Sequence, residues 1–161
     1  MNKYINSEAN QHVMKLIQLG AAVQVVSGKM VYASFKFDQD VEVSYAYNIN
    51  KNNKYFLERI KPYPLSIKEF ENPEDVIELI KIDYDQFKNA VKSHNIKNFI
   101  GINNSLNKSI KAFEDLFLYY NIPSDCVDKI NNNIKDINNI ITKHSKEDNR
   151  IYFEKDPENL N

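Results

Sequence analysis

The chain has 161 residues, and its 21 Lys and Arg nearly balance its 22 Asp and Glu. A chain of this length fits one domain and can hold a core without disulfides or a structural metal. No block of about five or six like charges occurs, which excludes a polybasic or acidic tail. Only Arg59 and Arg150 are arginines, and arginine is the usual residue for bidentate contacts with guanine or phosphate. The composition therefore disfavours nucleic acid as a partner.

The sequence predicts a cytoplasmic protein. The segment Met1–Asn6 lacks the apolar region of a secretory signal, and no apolar run reaches the ~20 residues that a membrane span requires. The single Cys126 has no partner for an internal disulfide, which suits a reducing compartment. The heavy use of Lys, Asn and Ile, with only 3 Gly, is typical of an AT-rich genome and favours a bacterial source.

The first element, over residues 1–20, is predicted to be an amphipathic helix. Val13, Leu16 and Ile17 recur on one face, and Gly20 is placed to end the helix in the left-handed conformation.

From residue 21 to 61 the apolar period changes to two, which predicts an antiparallel meander. The residues Asp38-Gln39-Asp40 interrupt two alternating runs, and a three-residue loop there fixes one register that sorts both faces. The cross-strand pairs of that register are Val31–Tyr47, Ala33–Tyr45, Phe35–Val43, Phe37–Val41, Ser34–Ser44 and Lys36–Glu42.

The strands on either side of this hairpin are less well determined. A loop at Val26-Ser27-Gly28 would pair Val23 with Val31. After a polar loop at 49–53, a strand at 54–60 has two registers, with Tyr55, Leu57 and Arg59 facing the core or with Phe56, Glu58 and Ile60 facing it. Pro62 and Pro64 are expected to end the sheet.

Residues 66–145 are predicted to be mostly helical. Asn72-Pro73 opens the first helix in the usual way, and the sequence leaves open whether that helix continues through Asp83 to residue 95. A second helix runs from about Asn104 to Tyr120, and a third follows Pro123 with Ser124 or Asp125 as its cap.

Residues 146–161 are expected to form a short strand at 150–154 and a loose tail. The whole chain, 1–161, is thus predicted to be a single α+β domain. It has an N-terminal helix, an antiparallel meander of about four strands and a mostly helical C-terminal half packed on the sheet, with the helices covering its apolar face.

No catalytic or metal-binding pattern is present. The three histidines lie on three different predicted helices without the spacing of a zinc site, and no Gly-rich phosphate loop occurs. The paired carboxylates at 38–40 and 83–85 lack the further ligands of a cation loop. Cys126 would need a positioned histidine to act as a nucleophile. We therefore expect no cofactor or metal and favour a non-enzymatic protein.

Two groups of residues are candidates for binding. Tyrosines on one sheet face, with an arginine, form either core or a pocket that orients a small ligand. The last helix carries apolar residues at strict three- and four-residue spacing. We expect this stripe to pack against the 104–120 helix as an antiparallel hairpin, the alternative being that it meets a protein partner or a second copy. The first group is Tyr45, Tyr47, Tyr55 and Arg59, and the second is Val127, Ile130, Ile134, Ile137 and Ile141.

The leading hypothesis is a binding or regulatory module that acts through protein–protein contacts, with a protein partner or a homo-oligomer. The alternative is a small-molecule-binding domain, or an enzyme, that uses the tyrosine-lined pocket.

Overall fold

A computed structural model of the protein describes residues 3–25, 28–50, 55–70 and 72–160. The chain forms a helix, four strands and then three helices, which confirms the predicted α+β class. A short 3-10 turn, Asp38–Asp40, joins the first two strands. The elements are α1 (Lys3–Gln18), β1 (Gly28–Lys36), β2 (Glu42–Asn50), β3 (Tyr55–Lys61), β4 (Leu65–Phe70), α2 (Pro73–Ala90), α3 (Ile96–Tyr119) and α4 (Ser124–Glu147).

The sheet is an antiparallel meander in the order β1-β2-β3-β4. The register between β1 and β2 is the predicted one, from Val31 opposite Tyr47 to Lys36 opposite Glu42. The turn that fixes this register places Gln39 and Asp40 at φ of 60° and 59°, and the Phe37 amide donates to the Val41 carbonyl at 2.8 Å.

The outermost strands differ from the prediction. Residues 21–25 form no strand, and Val26 and Ser27 of the predicted loop lie outside the described residues, as do residues 51–54. The prediction that Pro62 and Pro64 end the sheet is wrong, because β4 follows them. Both prolines lie in the turn between β3 and β4, where no ladder hydrogen bond is required from them. The predicted number of strands is right. The fourth strand, however, pairs with β3 at one edge of the sheet, whereas the prediction placed it beside β1 at the other edge.

Strand β3 adopts the first of its two predicted registers. Tyr55, Leu57 and Arg59 are buried, while Phe56 and Glu58 between them are exposed. The buried residues continue the apolar face that Val43 and Tyr45 form on β2.

Helix α2 covers this face. Its side chains Val76, Ile80 and Phe87 are buried against the strands, and burial of each such group stabilises the fold by roughly 1.5–3 kcal/mol. The helix begins as predicted, with the Asn72 side chain accepting from the Glu74 amide at 3.1 Å. It continues through Asp83 and ends at Ala90, so it has no break at Asp83 and does not reach residue 95.

The outer face of the sheet is polar at its centre, in agreement with the β1–β2 register. Glu42 accepts hydrogen bonds from the Ser34 hydroxyl at 2.8 Å and from the Lys61 ammonium at 2.9 Å. These two contacts lower the pKa of the Glu42 carboxyl, the Lys61 bond having the larger effect. Lys61 on β3 is therefore the cation that Glu42 pairs with.

Helix α1 ends at the predicted glycine but does not cover the sheet. Gly20 has a φ of 91°, and the Ala21 amide returns to the Leu16 carbonyl at 3.0 Å, which is a typical left-handed helix end. Met14 and Ile17 are exposed. The expectation that α1 helps to cover the apolar face is therefore wrong, and α2 has that role.

The last residues form no strand at 150–154, contrary to the prediction. Arg150 instead organises the segment, since its guanidinium donates to the Tyr152 and Lys155 carbonyls and pairs with Asp156 at 2.7 Å. Asn89 of α2 donates to the Ile151 carbonyl at 3.2 Å and so ties the segment to the helix. The hydrogen bonds of Arg150, and not strand pairing, thus hold this segment together.

Candidate functional site

Tyr45, the central residue of the predicted pocket, lies in the core. Its side chain is fully buried beneath α2, and its hydroxyl donates to Asp83 Oδ2 at 2.6 Å. A buried hydroxyl requires such a partner, and the partner here comes from a helix 38 residues further along the chain.

Arg59 reaches the same carboxylate from β3. Its Nη1 lies 2.9 Å from both Asp83 oxygens, and its guanidinium stacks at 4.5 Å from the centre of the Tyr63 ring and 5.1 Å from that of Phe87. The Arg59 and Asp83 side chains are only 5% and 16% exposed. Charge neutralisation, hydrogen bonding and ring stacking together compensate the desolvation of the arginine.

The low polarity around this cluster changes the acidity of its tyrosines. Burial, followed by the hydrogen bond to Asp83, raises the pKa of the Tyr45 hydroxyl far above its usual value of about 10. Burial also raises the pKa of Tyr63, although the Arg59 charge opposes it. Both hydroxyls therefore stay protonated in the folded state at neutral pH and well above it.

The protein is expected to lose stability above about pH 10, where the unfolded chain releases tyrosine protons that the folded chain keeps. The contribution is fully present below that pH and disappears as the pH rises towards the folded-state value. Each such tyrosine makes the free energy of unfolding fall with pH, by up to about 1.4 kcal/mol per pH unit. Tyr45→Phe should reduce the slope by nearly that amount in urea unfolding between about pH 11 and 12, whereas the exposed control Tyr119→Phe should not. An unchanged slope in Tyr45→Phe would contradict the assignment.

The four predicted pocket residues do not line one common cavity. Tyr45 and Tyr55 are buried in the core. Tyr47 lines a groove of about 300 Å³ together with Met30 and Phe56. Arg59 lines a separate groove of about 580 Å³ between the sheet, α2, the start of α3 and the C-terminal tail.

The groove beside Arg59 combines apolar walls with a few polar groups. Asp83 and Gln86 of α2 contribute polar atoms, Phe99 of α3 forms part of the apolar wall, and residues 155–160 of the tail form one side. The Arg59 Nε is buried and has no hydrogen-bond partner among the residues that the structure describes. Of these residues, the sequence analysis named Arg59 as a candidate for ligand binding. It did not predict that Asp83 pairs with Arg59, because the two residues are 24 positions apart in the chain.

The second candidate group, on α4, lies on the surface together with a matching row on α3. Both helices have 24 residues. In α3 the row has spacings of three and four residues and its side chains are 40–65% exposed. In α4, Ile134, Ile137 and Ile141 are 42–50% exposed. The α3 stripe comprises Phe99, Ile102, Leu106, Ile110, Phe113 and Phe117, and the α4 stripe comprises Val127, Ile130, Ile134, Ile137 and Ile141.

The two helices form a hairpin that is attached to the sheet at one end. Ile96 at the start of α3 is buried, and Asn104 and Asn107 donate to the carbonyls of the β3–β4 turn. Helix α4 returns to α2, since His144 lines a groove with Gln86. Helices α3 and α4 have no extensive backbone contact. The predicted packing of the α4 stripe on α3 is therefore incomplete, and both stripes stay half-exposed.

The three histidines and Cys126 lie on different parts of the fold. No three His, Cys, Asp or Glu side chains among the described residues lie close enough to hold an ion. His12 lies on α1, His94 between α2 and α3, and His144 on α4, where it contacts Asp148 at 3.2 Å. Cys126 is half-buried in the first turn of α4.

Comparison with protein-family models, with curated proteins and with solved structures finds no match to this chain. In the described part of the chain, no helix has the length and apolar content to cross a membrane.

Proposed function

We propose that this protein is a non-enzymatic binding or regulatory module of the cytoplasm that acts through protein–protein contacts. The observation that carries the proposal is the pair of half-exposed apolar stripes along α3 and α4. Isolated surface hydrophobic residues are ordinary, but a contiguous apolar patch on a folded protein marks an interaction site. The sheet and α2 act as the rigid base from which the hairpin presents this surface.

The chemistry of the stripes favours a helical partner. Apolar residues at spacings of three and four present ridges that fit the grooves of another helix. Aromatic groups such as Phe113 and Phe117 bury large areas and are enriched at protein interfaces.

The proposal predicts that one charge in the α4 stripe abolishes partner capture. Tagged full-length protein carrying Ile137→Glu should fail to retain the partners that the wild type retains from the native cell lysate, because a carboxylate in an apolar interface loses its hydration. Asn132→Glu adds the same charge on the opposite side of α4 and should leave capture intact. Quantitative mass spectrometry compares the three samples, and identical sets of retained proteins would contradict the proposal.

A small-molecule-binding role is the second candidate, and the groove beside Arg59 favours it. Ligand sites typically combine apolar walls with a few placed polar groups, and this groove has both. A screen of metabolites by thermal shift tests the role, since a ligand at 100 times its Kd stabilises the fold by about 2.7 kcal/mol. A genuine ligand should raise the midpoint of the wild type more than that of Gln86→Ala, which changes an exposed wall residue.

A further inference from the structure

We infer that residues 150–160, called the strap, close over the groove beside Arg59 and lift as a unit to open it. This conformational device goes beyond the proposed function, since it does not depend on what binds α3 and α4. For the second candidate role, the strap controls how a small molecule reaches the groove.

The strap has its own internal order. The Arg150 guanidinium donates to the Tyr152 carbonyl at 2.6 Å and to the Lys155 carbonyl at 2.8 Å. It also pairs with Asp156 at 2.7 Å, and Lys155 forms a further ion pair with Glu158 at 2.8 Å. Both partners of each of these contacts belong to the strap. The contacts therefore stay intact when the strap leaves the rest of the fold, so it moves as one piece.

The attachment of the strap to the rest of the fold is slight. The side-chain amide of Asn89 on α2 donates to the Ile151 carbonyl at 3.2 Å, at an exposed position. Within the strap Tyr152 and Lys155 are half-buried, and the other residues are exposed. Exposed hydrogen bonds and little buried apolar surface are typical of segments that open locally at low free energy. The strap is therefore a segment that can open while the core stays folded.

Open space lies between the strap and α2. Three grooves, of about 500, 330 and 580 Å³, have the strap as a wall, and α2 lines each of them as well. A closely packed interior leaves few voids larger than a water molecule. The largest of the three is the groove beside Arg59. Lifting the strap therefore widens existing grooves and breaks no packed core.

The closed strap also carries a penalty at Tyr152. The Tyr152 hydroxyl is buried and has no hydrogen-bond partner among the residues that the structure describes. A buried hydroxyl without a partner loses the hydrogen bonds that it makes with water, which disfavours the state that buries it. Lifting the strap returns the hydroxyl to water. The Asn89 hydrogen bond thus favours closure and the Tyr152 hydroxyl opposes it, which brings the closed and open states close in free energy.

Thiol labelling tests the strap on the full-length chain with the background substitution Cys126→Ser. Ile82→Cys places a thiol at a half-buried position that lines two of the three grooves. A maleimide that carries a polyethylene glycol chain is too bulky for these grooves while the strap is closed. Its rate of reaction, followed as a mass shift on a gel, therefore measures opening. Ile77→Cys is the matched control on the same helix, because its position is 56% exposed.

Arg150→Ala should raise the labelling rate at position 82 at least about tenfold, because the strap loses an ion pair and two hydrogen bonds and no longer keeps the shape that covers the groove. Tyr152→Phe should lower that rate about fivefold, since it removes the unpaired hydroxyl. Lys146→Ala removes an exposed cation just before the strap and should leave the rate unchanged. Labelling at position 77 should be the same in all of these chains.

An Arg150→Ala chain that is labelled at position 82 no faster than its background would overturn the inference. Faster labelling in Tyr152→Phe would do the same, as would an equal acceleration at position 77, which reports unfolding of α2. These outcomes leave the proposed function untouched, because partner capture by Ile137→Glu tests it separately.

Discussion

Asp83→Ala is expected to lower the free energy of unfolding by about 3 kcal/mol, the lower end of the range for breaking a buried ion pair. The substitution leaves the Arg59 guanidinium without its counter-charge and the Tyr45 hydroxyl without its acceptor, and both groups are buried. The lower end applies because Asp83 itself keeps 16% of its side chain exposed. Urea unfolding followed by circular dichroism measures the change.

Two further variants separate the loss of the pair from the loss of a helical carboxylate. Asp85→Ala removes the same charge two residues away on α2, at a half-buried position, and should cost less than about 1 kcal/mol. The double substitution Arg59→Met with Asp83→Leu replaces the pair by apolar groups and should recover most of the lost stability. If Asp83→Ala and Asp85→Ala were equally stable, the cluster would not contribute as described.

Ile96→Ala should lower the free energy of unfolding by about 3 kcal/mol, within the usual range for truncating a buried aliphatic residue. Ile96 is 2% exposed and is the buried residue of α3, so its side chain fixes the start of the hairpin to the base. Removal of its methyl groups leaves a cavity that the surrounding side chains fill only in part.

Ile102→Ala is the matched control, because it makes the same chemical change on the same helix at a side chain that is 61% exposed. At dilute protein concentration it should change the stability by less than about 0.5 kcal/mol. Equal effects of the two substitutions would mean that α3 is not anchored at Ile96.

The sequence predicted the hairpin of β1 and β2 to the residue because its register is a local property. Phe35 opposite Val43 follows from alternation on both sides of a three-residue turn, and a shift by one residue would turn every apolar side chain to the wrong face. The start of α2 was equally predictable, since Asn72 caps the helix through a hydrogen bond two residues away.

Elements that depend on distant contacts were missed. The sequence pattern predicted that the helix after α2 starts near residue 104, whereas α3 starts at Ile96, whose burial depends on its contact with the rest of the fold. Strand β4 follows Pro62 and Pro64, a pair that typically ends a sheet, and it forms because it pairs with β3. The role of Asp83 was hidden because its partners, Tyr45 and Arg59, are 38 and 24 residues away.

The order of the elements along the chain has a consequence for synthesis on the ribosome. Each strand pairs with the one made just before it, so the meander can form early through short loops. Arg59, however, is translated 24 residues ahead of Asp83, which corresponds to about 1–5 s at the usual elongation rate. During that interval the arginine stays hydrated, and the nascent sheet can close its apolar face only when α2 emerges with the neutralising carboxylate.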